Sequence, residues 1–147
     1  MIADLSPSDR SKYACALHAS KLVESGMKVG LGTGSTAYWL VHHLAKRVRD
    51  EGLKFVGVPT STRTRDQAHA EGIRLISMDD AGRLDITIDG ADEFDQSMNL
   101  IKGGGGAHLQ EKIVAFGSDL MVVICLLYTS DAADDSLRVD LGGRRII

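Results

Sequence analysis

Short apolar runs alternate with longer segments of helical period along this chain, and that alternation limits the possible folds more than any other property of the sequence. Residues 28–31, 54–58, 84–88 and 120–124 are too short to make helices and are rich in Val, Ile and Leu. Between them, apolar residues recur every three to four positions, as on one face of a helix. Cys15, Ala19, Leu22 and Val23 share one such face, and Ala37, Leu40, Val41, Leu44 and Val48 share another. Strands joined by connections long enough to hold a helix describe parallel βα units. The expected fold class is α/β: a Rossmann-like open, mostly parallel sheet with helices on both faces and right-handed crossovers. The runs 54–58 and 120–124 are almost continuously apolar, as strands covered on both faces are.

Turn and cap residues set the expected boundaries. Ser6 and Pro7 suit the N-cap and first position of a helix that Gly26 ends. Gly52 stops the second helix, and Gly72 and Gly117 have the same capping look. Pro59, Thr60, Ser61 and Thr62 form a turn and cap before a short polar helix reaching Glu71. Residues 73–76 read as a strand edge, 90–99 as a loop, and 107–116 as a helix with Leu109, Ile113 and Phe116 turned inward.

The 147 residues suffice for one core, and 44% hydrophobic with 25% charged residues is the composition of a soluble globule. Seventeen Lys and Arg against 20 Asp and Glu leave a net charge of -3, with no basic cluster that calls for a nucleic-acid partner. The longest apolar run, 120–127, falls far short of the roughly 20 residues that span a bilayer, so no membrane partner is expected. Two cysteines in apolar segments, without a CxxC pair, fit a reducing, cytoplasmic setting. The first residues lack the apolar core of a secretory signal.

Polar motifs gather where these strands would end. Gly32-Thr33-Gly34-Ser35-Thr36 lies between a strand and a helix start, where unpaired N–H groups and the helix dipole attract anions. It is neither GxGxxG nor a Walker P-loop. The alternative is a plain turn capped by Ser35 or Thr36. Asp89, Asp92 and Glu93 place three carboxylates at the end of another strand, suited to sugar hydroxyls or a shared proton, with a solvated acidic loop as the alternative. No histidine is close enough in sequence to suggest a metal site. Lys102 precedes four glycines, 103–106, whose cost in regular structure is about 0.5–1 kcal/mol each. That cost is easier to understand if their N–H groups face a ligand; a flexible hinge is the alternative. Glu111 follows in the next helix, as a base leaning over the ligand or as an ordinary surface residue. His18, His42, His43, Trp39 and Tyr13 read as packing or surface residues. Two N–H surfaces, a carboxylate cluster, one lysine and one candidate base suit a small anionic substrate such as a sugar phosphate, and aldose–ketose isomerisation without a cofactor.

These three motifs with Glu111, in this order and spacing, resemble the signature series of the type A ribose-5-phosphate isomerases over roughly residues 11–124. The resemblance implies interconversion of D-ribose 5-phosphate and D-ribulose 5-phosphate through a cis-enediolate, in the pentose phosphate pathway, with no cofactor and no metal. It implies catalytic roles for Glu111 as general base, Asp89 in binding hydroxyls and opening the sugar ring, Asp92 in polarising neighbouring groups, and Lys102 in stabilising the enediolate. Lys12, Thr33, Gly34, Ser35, Thr36, Gly90, Ala91, Gly103, Gly104 and Gly105 would bind substrate. A homodimer or higher homo-oligomer is implied for the full-length parent. The alternative within the same superfamily is a non-catalytic, sensor-type sugar-phosphate-binding domain.

The chain departs from the family after Ile124. A family lysine expected shortly beyond that point is replaced by Cys125-Leu126-Leu127-Tyr128-Thr129, and the family's small α+β domain is missing. Residues 1–124 are therefore expected to form a truncated catalytic domain, and 125–147 a non-native or disordered tail resembling translated sequencing adapter. Such a chain is expected to be poorly active and marginally stable.

Overall fold

In the computed structural model, which describes residues 2–91, 93–94, 100–101, 108–125 and 144–146, the first helix, α1 (Pro7–Ser20), starts as the sequence dictates. Ser6 Oγ accepts the Asp9 N–H at 3.1 Å, and Pro7 fills the first turn where its missing donor costs nothing. The helix ends at Ser20, well before Gly26. Arg47 accounts for the early stop: its Nη1 donates to the carbonyls of Ser20 at 2.6 Å and Val23 at 2.7 Å, while its Nε pairs with Glu51 at 2.9 Å. These bonds satisfy carbonyls that continued helix would otherwise occupy. Gly26 instead turns the chain toward the sheet, donating to Lys54 O at 2.8 Å.

The sheet contains β1 (Lys28–Leu31), β2 (Val56–Pro59), β3 (Leu84–Gly90), β6 (Ser118–Ile124) and β7 (Arg144–Ile146), in the order β2-β1-β3-β6-β7. Every neighbouring pair is parallel. Its helices are α1, α2 (Ser35–Glu51), α3 (Thr62–Ala70), the single turn α4 (Met78–Ala81) and α5 (His108–Phe116). Gly52 closes α2 in the left-handed conformation, as its position suggested. Residues 73–76 make only a bridge, Gly57 to Leu75, rather than a strand. The expected loop 90–99 contains β4 (Glu93–Phe94), which pairs antiparallel with β5 (Leu100–Ile101). Of residues 125–147, where no clear element is evident in the sequence, Arg144–Ile146 pair with β6; 126–143 and 147 lie outside the described residues.

Strand alternation divides the core. Val29, Leu31, Ile86, Ile88, Val122 and Ile124 pack with Cys15 and Ala19 of α1 and Leu40, Val41 and Leu44 of α2. Val58, Leu84, Ala81 and Val114 form a smaller second core. Here the expected orientation of α5 is corrected. Val114 is fully buried, whereas Leu109, Ile113 and Phe116 are 75%, 47% and 77% exposed. A side chain at Gly30 would collide with Thr87 and Val114, so α5 seats Val114 directly against bare backbone of β1. The apolar spacing identified a helix correctly, but it could not say which row faces the sheet. Among the described residues no helix is long and apolar enough to cross a membrane.

Tyr13 of α1 packs edge-on against Trp39 and His43 of α2, with ring centroids 5.2 and 4.3 Å apart. His43 is buried, and its Nε2–H donates to Tyr13 O at 3.0 Å. Burial holds its pKa below the ordinary 6.5, opposed by the Tyr13 carbonyl and aided by His42 and Lys46. A depressed histidine stabilises the fold fully above the unfolded value near 6.5 and loses that contribution as pH falls toward the folded value. The thermal transition is therefore expected to drop between pH 7 and pH 5 more steeply in the parent chain than in His43→Phe. Equal slopes would show that protonation of His43 does not drive the acid loss.

Candidate active site

The turn after β1 is held from two sides. Gly32 N–H donates to Ile88 O at 2.9 Å, and Thr33 N–H donates to Asp89 Oδ1 at 3.1 Å. The expectation that N–H groups of this turn face outward thus fails for Gly32 and Thr33, which are engaged within the protein. It applies to the start of α2. Gly34 is the N-cap of that helix at φ 116, a conformation that favours glycine, and no side-chain hydrogen bond caps it. Neither Ser35 nor Thr36 acts as the cap, because Ser35 is already the first helical residue. The first-turn N–H groups of α2 and the hydroxyls of the exposed Ser35 and partly exposed Thr36 remain as an anion-attracting surface.

Asp89, the penultimate residue of β3, lies in the buried interior. A buried carboxylate requires hydrogen-bond donors, and its Oδ1 receives the Thr33 N–H together with its neighbour Gly90 N–H at 2.7 Å. Gly32 makes this possible. A Cβ there would collide with the Asp89 carboxylate and lie 2.5 Å from Asp89 Cα. Gly90 and Ala91 continue across the mouth, where Ala91 N–H donates to Ile124 O at 3.3 Å.

The loop from β2 into α3 supplies contacts that the sequence reading missed. Thr60 Oγ1 lies 2.8 Å from both Leu31 O and Thr33 Oγ1. Thr64 Oγ1 donates to Gly32 O at 2.8 Å, while Ser61 caps α3 by accepting the Thr64 N–H at 3.1 Å. The available signal was position: Thr60, Ser61 and Thr64 follow a strand end just as Thr33, Ser35 and Thr36 do.

Glu111 sits partly buried in the first turn of α5. It lies three residues before the buried Val114, and side chains so spaced share a helix face. It is therefore on the sheet side, away from the exposed row of Leu109, Ile113 and Phe116. Lys12 is partly exposed on α1, one turn before Cys15. Burial, reinforced by the nearby Cys125 just past β6, pushes the Cys15 thiol up to about 12. Cys15 packs in the same core as Ile124, the last residue of β6. Asp92, Lys102, Gly103, Gly104 and Gly105 lie outside the described residues. Among the described residues no group of three His, Cys, Asp or Glu side chains could hold a metal ion. The structure thus brings together Thr33, Gly34, Ser35, Thr36, Asp89, Gly90 and Ala91 beyond the strand ends, where open α/β sheets bind ligands.

Comparison with known proteins follows the same lines. The family profile described as Ribose 5-phosphate isomerase A (phosphoriboisomerase A) matches residues 56–127. Ribose-5-phosphate isomerase A of Roseobacter denitrificans is 64% identical over 124 residues, covering 84% of this chain and 47% of that protein. The solved ribose 5-phosphate isomerase A of Methanocaldococcus jannaschii has a TM-score of 0.76 at 44% identity, covering 81% of this chain and 52% of the other. Ribose 5-phosphate isomerase from Plasmodium falciparum gives a TM-score of 0.76 at 42% identity, over 79% and 50% of the two chains. The chain spans about half the length of the curated relatives it matches. A parallel sheet with this turn and carboxylate at its strand ends, and this degree of identity, align the chain with the ribose 5-phosphate isomerase A family.

Proposed function

We propose that this chain carries the binding and proton-transfer groups of an aldose–ketose isomerase acting on D-ribose 5-phosphate and D-ribulose 5-phosphate. The observation that carries the reading is the uncapped start of α2 beside the clamped Asp89, in a chain that aligns with this family. The phosphate would sit on the first turn of α2, with Ser35, Thr36 and Lys12 as partners. Asp89 would bind sugar hydroxyls and assist ring opening. Glu111 would take the proton from C2 of the open-chain aldose, leaving a cis-enediolate, and return it to C1, while the hydroxyl proton of O2 ends on O1. Atoms and electrons balance within the substrate, so no redox partner is needed. Lys102 and the N–H groups of Gly103, Gly104 and Gly105 would stabilise the enediolate charge, and such preorganised donors contribute several kcal/mol. Asp92 would polarise the groups around them. A binding domain without chemistry gives Glu111 no role.

The same reading takes residues 1–124 as the catalytic unit and 125–147 as lying outside it, and the whole protein as a cytoplasmic homodimer or higher homo-oligomer. Two buried thiols, Cys15 and Cys125, fit a reducing compartment.

Ribulose 5-phosphate incubated with the chain in deuterium oxide tests this function. One C1 hydrogen should exchange for deuterium as ribose 5-phosphate appears. Saturable binding of ribulose 5-phosphate with no exchange at any protein concentration would favour the sensor-type alternative.

A further inference from the structure

Thr60 is fully enclosed, and its hydroxyl touches two oxygens that make different demands. Leu31 O is a carbonyl and can only accept. It already receives the Thr60 N–H at 3.0 Å, and the Thr60 hydroxyl lies 2.8 Å away. A hydroxyl has one proton, so Thr60 Oγ1 gives it to Leu31 O. Otherwise two acceptors would face each other at 2.8 Å without a proton between them. Thr60 Oγ1 is then left with lone pairs, and the Thr33 hydroxyl, also 2.8 Å away, must be the donor to it. The direction of the whole relay follows: Thr33 Oγ1–H to Thr60 Oγ1–H to Leu31 O. Thr33 is partly exposed at the mouth of the site, so what its oxygen has left to present there is lone pairs alone.

We propose that Thr60 is a positioning residue that fixes the Thr33 hydroxyl as an acceptor, so that Thr33 reads a donor hydroxyl of a polyol phosphate and turns the phosphate away. A phosphate oxygen placed on Thr33 would meet lone pairs with no proton between. The anion is thereby directed to the first turn of α2, where Ser35 and Thr36 are free of this relay. The second grip from the same loop, Thr64 Oγ1 to Gly32 O at 2.8 Å, holds the neighbouring carbonyl, so the turn keeps its place when the Thr60 hydroxyl is removed. The inference rests on the proposed sugar-phosphate site and assigns one ligand group within it.

Calorimetric titration of the chain with two probes, D-ribose 5-phosphate and inorganic phosphate, tests the assignment. Thr60→Val keeps the shape of the side chain and removes the hydroxyl, which releases the Thr33 proton. It should weaken ribose 5-phosphate roughly five- to tenfold, the worth of one well-placed hydrogen bond. Inorganic phosphate should stay within about twofold, and Thr60→Ser should restore the parent affinity for both. Should Thr60→Val fail to fold, Thr33→Val leaves the Thr60 bond to Leu31 intact and carries the same expectation. Equal weakening of both probes, or none of either, by whichever of these variants folds overturns the positioning role while leaving the sugar-phosphate site standing. A parent chain that binds neither probe overturns the proposed function itself, and this inference with it.

Discussion

Glu111→Gln is expected to reduce isomerisation and C1 exchange at least about 100-fold, the low end for removing a general base, while ribose 5-phosphate still binds within about threefold. The amide matches the carboxylate in size and can keep its partly buried place on the sheet side of α5. It cannot accept a proton near neutral pH. Stability should change little: the dipole contribution of a first-turn carboxylate is about 0.3–1 kcal/mol, and the amide keeps an acceptor oxygen in place. Exchange rate, ribose 5-phosphate affinity and thermal transition should be measured on one preparation. Near-parental exchange would remove Glu111 as the base. Parallel loss of affinity and exchange would make it a binding group instead.

Gly32→Ala should be the most damaging small substitution in the first motif, lowering stability by roughly 2–4 kcal/mol. Overpacking and the loss of hydrogen bonds to a charged group both contribute. The added methyl would meet both the carboxylate and the Cα of Asp89, so rotating one side chain cannot clear it. Gly34→Ala is the informative control. A Cβ there meets nothing within 4 Å, and the cost comes from φ 116 alone, about 1–3 kcal/mol. Urea unfolding of both variants separates the causes, with a further expectation that Gly32→Ala also loses ligand affinity because Asp89 is displaced. If Gly32→Ala costs no more than Gly34→Ala, Asp89 is not held as tightly as its contacts imply.

The sheet was legible because its strands are short, apolar and regularly interrupted, and period alone distinguishes Val29–Leu31 from the helices beside it. The seat of α5 was not legible. Leu109, Ile113 and Phe116 make the more conspicuous row, yet bare backbone at Gly30 accepts Val114. That choice depends on two elements far apart in sequence. The end of α1 was misjudged for a similar reason, since Arg47 arrives from the next helix to occupy the carbonyls of Ser20 and Val23. In the first motif, residue types pointed to the correct turn but not to its wiring. The acceptor of the Thr33 N–H is Asp89, 56 residues later, and nothing local to the motif announces it. Thr60 escaped notice because a hydroxyl after a strand is common, and its meaning lies in the two oxygens it touches.

The central place of β3 in the sheet has a consequence for the order of folding. As the chain leaves the ribosome, α1, β1, α2 and β2 can associate through nearby contacts, and the turn at Gly32 to Thr36 emerges with them. Its carboxylate clamp comes 56 residues afterwards, and β3 must then dock against β1 and receive β6 on its other side. Long-range pairing of this kind forms late because closing the intervening loop costs entropy before any contact is made. The sheet edge that carries the first motif is thus assembled by a late docking event, and until then a nascent chain holds that motif without the Asp89 that gives it shape.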